Sequence, residues 1–301
     1  MRQKIFIIIL NFNGREDTLA CLASLEKIKK NKGQAVKIVV VDNASTDGSI
    51  SAIKKNFPQV KIIANKENLG FSEGNNAGLK SALKEGGDYC LVLNNDTLVK
   101  DDFLGELLRV KADIVSPKIY FAPGSEYYQR RYRKGDRGRV IWYAGGQIDW
   151  QNVLASHRGV DEVDRGQFDQ IEETDFATGC CLLIGREVLE KVGLFDSRYF
   201  LYWEDNDLCQ RAKRLGFKVC FAPRAVVWHK NAGSSRVGSD LHDYYLTRNR
   251  LLFGWQYASW RAKFALVRES VIKLFNGRKW ERRGIIDFYL RRFKRGSYRI
   301  S

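Results

Sequence analysis

Polar residues able to bind a metal ion follow an apolar stretch in the first half of the chain. Asn94-Asn95-Asp96 comes directly after Tyr89–Leu93, which predicts a buried strand that ends in amides and a carboxylate. Such a group can hold Mg²⁺ or Mn²⁺ against a diphosphate, because both ions prefer oxygen ligands and keep coordination positions for phosphate oxygens. The alternative is an ordinary polar turn after a strand.

A second carboxylate, Asp42, ends the apolar run Val36–Val41. An acid at this place in nucleotide-binding folds accepts hydrogen bonds from the bound nucleotide. Asp42 could equally cap a helix that we predict to start near Thr46. A calcium-binding EF-hand loop is excluded, because Ala44 and Thr46 stand where that loop needs oxygen-rich acids.

Three acids, Glu204, Asp205 and Asp207, follow an aromatic run at 199–203. Like charges at this spacing raise the pKa of at least one carboxyl group. Beside aromatic side chains, a carboxylate of raised pKa is a suitable general base. Acids also favour the first turn of a helix, which is the structural alternative, but their density among aromatic residues favours catalysis.

His229 follows an apolar run at 225–228. The chain has three histidines, which disfavours a zinc site built from His and Cys. A single His could complete a Mn²⁺ site that is held mainly by Asp. A structural role for His229 is the alternative.

The elements that must position these residues alternate between strand and helix patterns over the first 117 residues. Apolar runs predict strands near 5–10, 36–41, 60–64 and 89–93, with helices between them. This alternation implies an α/β fold with a parallel sheet and helices on its faces. Ligands bind at the carboxyl ends of the strands in such sheets, where Asp42 and Asp96 would lie.

The rest of the chain predicts an insertion and a helical tail. Residues 118–170 are rich in Gly, Tyr and Arg and lack clear periodicity, which predicts an irregular insertion. We expect one domain over 1–239, including that insertion, and a basic, amphipathic helical region over 240–301.

The net charge of +16 predicts an anionic partner, which could be nucleic acid, an acidic membrane surface or a phosphorylated substrate. Residues 245–301 hold 15 Lys and Arg but only three acids, so most of the excess lies in the tail. That concentration disfavours a nucleic-acid-binding protein, whose basic residues spread along one face. We expect the tail to bind an anionic membrane surface, and the alternative is that it packs on the catalytic domain or on a second subunit in a homodimer.

The six cysteines form no C-x-x-C pair, and two of them are adjacent, which indicates buried thiols in a reducing compartment. No run of 18 apolar residues indicates a membrane span. We therefore expect a cytoplasmic protein, peripheral on the inner face of the cell membrane.

Taken in order, several motifs resemble those of the family 2 inverting glycosyltransferases, which have the GT-A fold. The resemblance covers roughly residues 4–235, and its motifs are Ile8–Asn13, Val41–Gly48, Asn68–Asn76, Leu93–Asp96, Ala177–Gly179 and Trp203–Asp205. The Asn-Asn-Asp triplet, the Ala-Thr-Gly run and the Trp-Glu-Asp sequence are most similar to the rhamnosyltransferase-like branch. The resemblance implies a Rossmann-like, mostly parallel sheet flanked by helices.

The resemblance also implies residue roles in binding a nucleotide-sugar donor. Leu10 and Phe12 would line the base pocket, Asp42 would bind the uracil or thymine, and Asn75 would lie near the donor phosphates. Asn95 would also belong to the nucleotide-binding group.

For the metal and the reaction, Asn95 and Asp96 match the family's Asp-x-Asp motif, whose last acid reaches Mg²⁺ or Mn²⁺. His229 matches a position that binds the metal or a phosphate. Asp205 matches the catalytic base, supported by Glu204. Asn94 replaces the first Asp of the motif, so weaker metal binding is expected.

The implied function is metal-dependent transfer of a sugar, with inversion, to a hydroxyl group of a saccharide or lipid-linked saccharide. Rhamnose from dTDP-rhamnose is the favoured donor, in the synthesis of cell-surface polysaccharide. The alternatives are a nucleic-acid-binding protein and a catalytically inactive sugar-binding module.

Overall fold

The computed structural model describes residues 2–29, 31–230 and 238–298, which form a mixed sheet flanked by helices. The strands are β1 (Gln3–Asn11), β2 (Gln34–Asp42), β3 (Lys61–Ala64), β4 (Tyr89–Asn94), β5 (Thr97–Val99), β6 (Ile114–Phe121), β7 (Ile141–Tyr143), β8 (Gly146–Asp149), β9 (Leu154–His157), β10 (Glu172–Glu173), β11 (Cys181–Gly185) and β12 (Val219–His229). The helices are α1 (Arg15–Glu26), α2 (Ser49–Asn56), α3 (Gly70–Lys84), α4 (Phe103–Arg109), α5 (Arg186–Lys191), α6 (Glu204–Arg214), α7 (Asp240–Tyr257), α8 (Trp260–Asn276) and α9 (Lys279–Tyr289).

Ten strands form the central sheet, in the order β10-β12-β6-β11-β4-β1-β2-β3, with β5 paired to β12 and β7 to β6. The neighbours β4, β1, β2 and β3 run parallel, as do β6 and β12. β11 is antiparallel to both of its neighbours and joins these two parallel parts. The strands β8 and β9 form a separate hairpin. This mostly parallel sheet flanked by helices confirms the predicted fold class.

The core lies on both faces of the sheet. Successive residues of β1 from Ile5 to Ile9 are all buried, although their side chains alternate between the two faces. A strand that is covered on both faces consists of a continuous run of apolar residues, and this run is why the sequence predicted β1. All six cysteines are buried and unpaired, as the sequence indicated.

Two local predictions differ from the structure. The helix expected near Thr46 begins at Ser49, because Gly48 turns the chain with a φ of 80°. Residues 118–170 are not irregular throughout, since they contain the end of β6 and the strands β7, β8 and β9. These strands of three or four residues are too short to show a period, and they form through pairing with distant partners.

The C-terminal region is helical, as expected, and α7 packs against the part of the chain that precedes it. The ring of Trp203 lies 4.7 Å from that of Phe253, and the hydroxyl of Tyr257 donates to Asp207 at 2.6 Å. The domain boundary between 239 and 240 stays a prediction. Within residues 2–29, 31–230 and 238–298, no helix combines the length and the apolar character that crossing a membrane would require.

Candidate active site

A cavity of about 580 Å³ contains four of the residues predicted to act in chemistry. We call it the central cavity. Its lining includes Asp96, His229, Glu204 and Asp205. Aromatic side chains form much of the remaining wall, among them Phe71, Trp142, Phe176, Tyr202 and Trp203.

Strand pairing brings Asp96 and His229 together, although 132 positions of sequence separate them. In the ladder between β5 and β12, His229 lies opposite Thr97, the residue that follows Asp96. The Oδ2 atom of Asp96 is 3.2 Å from Nε2 of His229. Burial alone would raise the pKa of the Asp96 carboxyl group, but His229 and nearby donors outweigh it and the pKa is lowered. Asp96 is thus held as a carboxylate.

The Asp96–His229 pair has unused ligand atoms. The Oδ1 atom of Asp96 and the Nδ1 atom of His229 are buried and have no hydrogen-bond partner. Among the described residues, no three His, Cys, Asp or Glu side chains are grouped as metal ligands. Two protein ligands suit Mg²⁺ or Mn²⁺, which commonly complete their shells with water and substrate phosphates. The residues present therefore fit a divalent cation that is bound together with a diphosphate.

Glu204 and Asp205 occupy the first turn of α6, after a strained loop. Phe200, Tyr202 and Trp203 have φ values of 63°, 68° and 74°. Bulky residues rarely adopt this left-handed conformation, and it persists only where surrounding contacts enforce it. The loop turns the chain so that the first acids of α6 reach the central cavity.

Backbone and side-chain amides hold Asp205 in place. Its Oδ2 atom accepts a hydrogen bond from the Gly179 amide at 2.8 Å. Its Oδ1 atom accepts from the backbone and side-chain nitrogens of Asn206, each at 2.8 Å. Burial raises the pKa of Asp205, and these donors counteract part of that effect because they stabilise the charged form.

Glu204 lies in a different environment. Burial raises the pKa of its carboxyl group well above the usual value, and the charges of Asp205 and Asp207 raise it further. Its Oε2 atom is buried without a hydrogen-bond partner. Because Asp205 has three donors for its charged form, Asp205 ionises at a lower pH than Glu204.

The third acid of the cluster, Asp207, is structural. It is fully buried, accepts hydrogen bonds from Arg211 at 2.8 Å and Tyr257 at 2.6 Å, and does not line the central cavity. The predicted group of three acids is therefore two cavity residues and one residue that joins α6 to α7.

Asp42 and Asn95 are linked through Asn11 at the carboxyl ends of the strands. Asp42 accepts from Nδ2 of Asn11 at 2.7 Å and from the backbone of Ser45 at 2.8 Å. Asn95 donates to Oδ1 of Asn11 at 3.2 Å and to Thr18 at 3.0 Å. Asp42 is fully buried in this network. The network fixes the edge of the sheet next to the turn that carries Asp96.

The other predicted nucleotide-binding residues are dispersed. Leu10 lies beside α3, where a Cβ on Gly74 would be 2.5 Å from its Cδ1. Phe12 is 40% exposed, and Asn75 is fully buried within α3, where it donates to the Phe71 carbonyl at 3.0 Å. None of these three residues, nor Asp42 or Asn95, lines the central cavity, and their roles stay predictions.

Residues of the 118–170 insertion that were not singled out as site residues also line the central cavity. Trp142 lies between two histidines, with its ring 4.4 Å from that of His157 and 4.6 Å from that of His229. Burial lowers the pKa of His157 to about 4, so this ring is neutral near pH 7. The abundance of aromatic residues in the insertion was the available signal, but single positions could not be selected from it.

Comparisons with known proteins agree with this geometry. A family model described as glycosyltransferase like family 2 matches residues 3–250. An N-acetylglucosaminyl-diphospho-decaprenol L-rhamnosyltransferase of Mycobacterium tuberculosis is 27% identical over 217 residues, which are 66% of this chain and 68% of that protein. The dTDP-rhamnosyl transferase RfbF of Shigella flexneri is 22% identical over 265 residues, 84% of this chain and 80% of its own.

Among solved structures, that of GalNAc-T7 with UDP, GalNAc and Mn²⁺ superposes with a TM-score of 0.59 at 18% identity. The match covers 90% of this chain and 56% of that one. The predicted GT-A fold is confirmed by this likeness.

The protonated state of Glu204 predicts a pH-dependent cost in stability. Because the pKa of Glu204 is raised on folding, the folded protein binds this proton more tightly than the unfolded chain. The resulting stability is complete below the usual glutamate pKa of about 4.3 and is lost as the pH rises toward the folded value. The melting temperature of Glu204→Gln should therefore exceed that of the wild type at pH 8, by about 2–4 °C for each kcal/mol gained in the free energy of unfolding. At pH 5 the difference in melting temperature should be smaller.

Glu67→Gln is the matched control, since Glu67 is exposed in the connection between β3 and α3. Its melting temperature should differ from that of the wild type by the same amount at both pH values. A Glu204→Gln difference that does not grow with pH would show that Glu204 is ionised at little cost.

Proposed function

The chain belongs to the family described as glycosyltransferase like family 2, and from this we propose that it transfers a sugar from a nucleotide-diphosphate donor to an acceptor hydroxyl group with inversion. The main support for the proposal is that Asp205 and the Asp96–His229 pair line the same cavity. One group suits a general base, and the other suits a cation that binds a diphosphate.

We further propose rhamnose from dTDP-rhamnose as the donor sugar and a lipid-linked saccharide as the acceptor, in cell-surface polysaccharide synthesis. Two of the relatives support this choice. One is a rhamnosyltransferase named for N-acetylglucosaminyl-diphospho-decaprenol, and another is a dTDP-rhamnosyl transferase.

The proposed reaction is a single displacement at the anomeric carbon. The Asp205 carboxylate accepts the proton of the acceptor hydroxyl as that oxygen forms a bond to the anomeric carbon. The bond from this carbon to the diphosphate oxygen breaks, and the electron pair leaves with the nucleoside diphosphate. Attack opposite the leaving group inverts the configuration.

Asp96 and His229 would hold Mg²⁺ or Mn²⁺, which supplies Lewis-acid neutralisation of the diphosphate charge. Two protein ligands bind a cation more weakly than three or four. Retention of the cation should therefore depend on the nucleotide, which is consistent with Asn94 in place of an acid.

Asp205→Asn tests the general base. It should lower turnover by about 10²–10⁴-fold, the usual contribution of general base catalysis. Donor affinity, measured by calorimetry, should stay within about threefold, because proton transfer belongs to the transition state. Glu204→Gln is the comparison variant and should retain more activity, since burial already favours the uncharged form of Glu204 that Gln resembles. Turnover of Asp205→Asn within tenfold of the wild type would remove Asp205 from this role.

Asp96→Asn tests the cation site. With UDP or dTDP present, Mn²⁺ affinity measured by calorimetry should fall at least about tenfold, because a charged oxygen ligand is lost. Excess EDTA should abolish turnover of the wild type, and Mg²⁺ or Mn²⁺ should restore it. Asp101→Asn, which removes a carboxylate that pairs with Lys29, is the control and should bind Mn²⁺ normally. Full activity in EDTA would contradict metal dependence.

We also propose that α8 binds an anionic membrane surface and places the central cavity near a lipid-linked acceptor. Trp260, Phe264 and Phe275 of α8 are 81%, 73% and 75% exposed. At 3.6 residues per turn, these positions fall within about 60° of arc. The opposite face of α8 is buried through Ala262, Leu266 and Ser270.

Basic residues accompany this apolar face. The Lys263 ammonium lies 5.1 Å from the ring of Trp260 and 5.8 Å from that of Trp255. An apolar face edged by cations is typical of helices that lie at a membrane interface. Each Lys or Arg near an anionic leaflet contributes about 1 kcal/mol.

Vesicle flotation tests this surface. The wild type should float with vesicles of phosphatidylglycerol and phosphatidylcholine at low salt, and it should leave them at high salt. The triple variant W260S/F264S/F275S should stay at the bottom, because its apolar face is gone while its charge is unchanged. Point substitutions are used because removing the chain from α7 onward would also remove the contacts that α7 makes with the rest of the fold.

The matched control for flotation is L154S/I171S/L215S, which removes three other exposed apolar side chains. It should float like the wild type. Equal flotation of the α8 triple variant, or no flotation of the wild type, would contradict the membrane proposal.

A further inference from the structure

The carbonyl groups of the loop before α6 converge on two buried side chains of α7. The loop spans residues 198–203, and the two side chains are Arg248 and Asn249, both fully buried. The mechanism proposed above uses neither side chain. Their position raises the question of what they do for Asp205, which follows the loop directly.

Asn249 binds the loop through its side-chain nitrogen. Its Nδ2 atom donates to the carbonyl oxygens of Tyr199 and Leu201, each at 2.7 Å, and of Tyr202 at 2.9 Å. Its Oδ1 atom accepts from Nε of Arg248 at 2.9 Å, which fixes the orientation of the amide. One side chain thus binds both sides of the strained residue Phe200.

Arg248 extends the same set of contacts. Its Nη2 atom donates to the carbonyl oxygens of Arg198 at 3.1 Å and Tyr199 at 3.0 Å. Its Nη1 atom donates to the carbonyl oxygen of Lys294 at 2.7 Å, beyond α9. A guanidinium group has five donors in a rigid plane, so its contacts define the geometry of several carbonyls at once.

The start of α3 and a ring of α7 also hold the loop. The Phe200 carbonyl accepts from the backbone amides of Phe71 at 2.6 Å and Ser72 at 3.3 Å, at the start of α3. The Phe200 ring stacks on Tyr245 of α7, with 5.1 Å between ring centres. The loop is therefore held between α3 and α7, and three left-handed residues within it are kept in place.

We propose that Arg248 and Asn249 are positioning residues for Asp205, and that their hydrogen bonds to the loop set where the base stands in the central cavity. Only two residues, Trp203 and Glu204, lie between Asp205 and Tyr202, whose carbonyl Asn249 binds. A rotation of the loop backbone would therefore displace the carboxylate from the Gly179 amide. A misplacement of about 1 Å can cost about 10²-fold in rate.

Amide hydrogen exchange in two variants tests the positioning directly. Asn249→Ser retains one hydrogen-bond donor, and Asn249→Asp places a carboxylate against three carbonyl groups. The reporters are the amides of Phe71 and Ser72, which donate to Phe200, and of Gly179, which donates to Asp205. Both variants should exchange these amides at least about tenfold faster, as expected for local opening. Protection in β1 and β2 should remain as in the wild type.

The matched control is Arg250→Ala, one residue further along α7. Arg250 donates to the carbonyls of Asn152 and Val153 and pairs with Glu269, so this variant loses several partly buried or exposed contacts but none to the loop. It should leave the exchange of the three reporter amides unchanged.

Kinetics provide the second measurement, and only this part rests on the proposed function. The turnover number is calculated from the concentration of protein that binds the donor. In the Asn249 variants it should be about 10–100-fold lower, or the acceptor KM should be about tenfold higher, and the affinity for the donor should be unchanged. Loss of folded protein alone would change neither quantity. If no nucleotide sugar is turned over by the wild type, the proposed function fails, and the exchange result still decides the positioning.

Two results would overturn the inference. The first is unchanged exchange of the Phe71, Ser72 and Gly179 amides in both variants. The second is faster exchange with wild-type turnover and acceptor KM, which would show that the loop geometry does not govern the reaction.

Discussion

The backbone at residues 198–203 combines left-handed residues with buried carbonyl groups, and this combination requires donors from elsewhere in the chain. A buried polar group without a partner costs about 1–3 kcal/mol, so several such carbonyls would unfold the loop. Arg248, Asn249 and the first amides of α3 supply the donors. Because α6 starts where this loop ends, the place of the proposed base depends on a helix far along the chain.

The two carboxyl groups that this loop presents differ in their surroundings, and that difference assigns their roles. Asp205 has three amide donors for its charged form, whereas Glu204 is buried among like charges. Adjacent carboxyl groups in such different environments ionise at different pH values, which is a common way of separating a base from its neighbour. Burial of Glu204 beside Asp205 and Asp207 lowers the stability of the folded protein at neutral pH. Functional sites often reduce stability in this way.

The sequence predicted the sheet because apolar runs mark buried strands. The resemblance to the family 2 glycosyltransferases implied Asp96 and His229 as metal ligands, and the structure brings their side chains within 3.2 Å. The sequence predicted Glu204 and Asp205 together with Asp207. On a helix Asp205 and Asp207 lie about 160° apart, on either side of Glu204, so the spacing alone could not show which of the two faces the cavity. The strands in 118–170 were missed because they are short and depend on distant pairing. Arg248 and Asn249 were assigned to a basic tail, since a charged side chain is rarely buried and composition cannot reveal carbonyl partners.

The central claim is that one carboxylate, Asp205, activates the acceptor for a single displacement. The most direct test is the anomeric configuration, determined by NMR, of the glycoside that the wild type forms from dTDP-rhamnose or from whichever nucleotide sugar it turns over. A single displacement predicts a configuration at the transferred anomeric carbon opposite to that in the donor. A product that retains the configuration of the donor would require two displacements or a different reaction course, and it would exclude the single displacement proposed for Asp205.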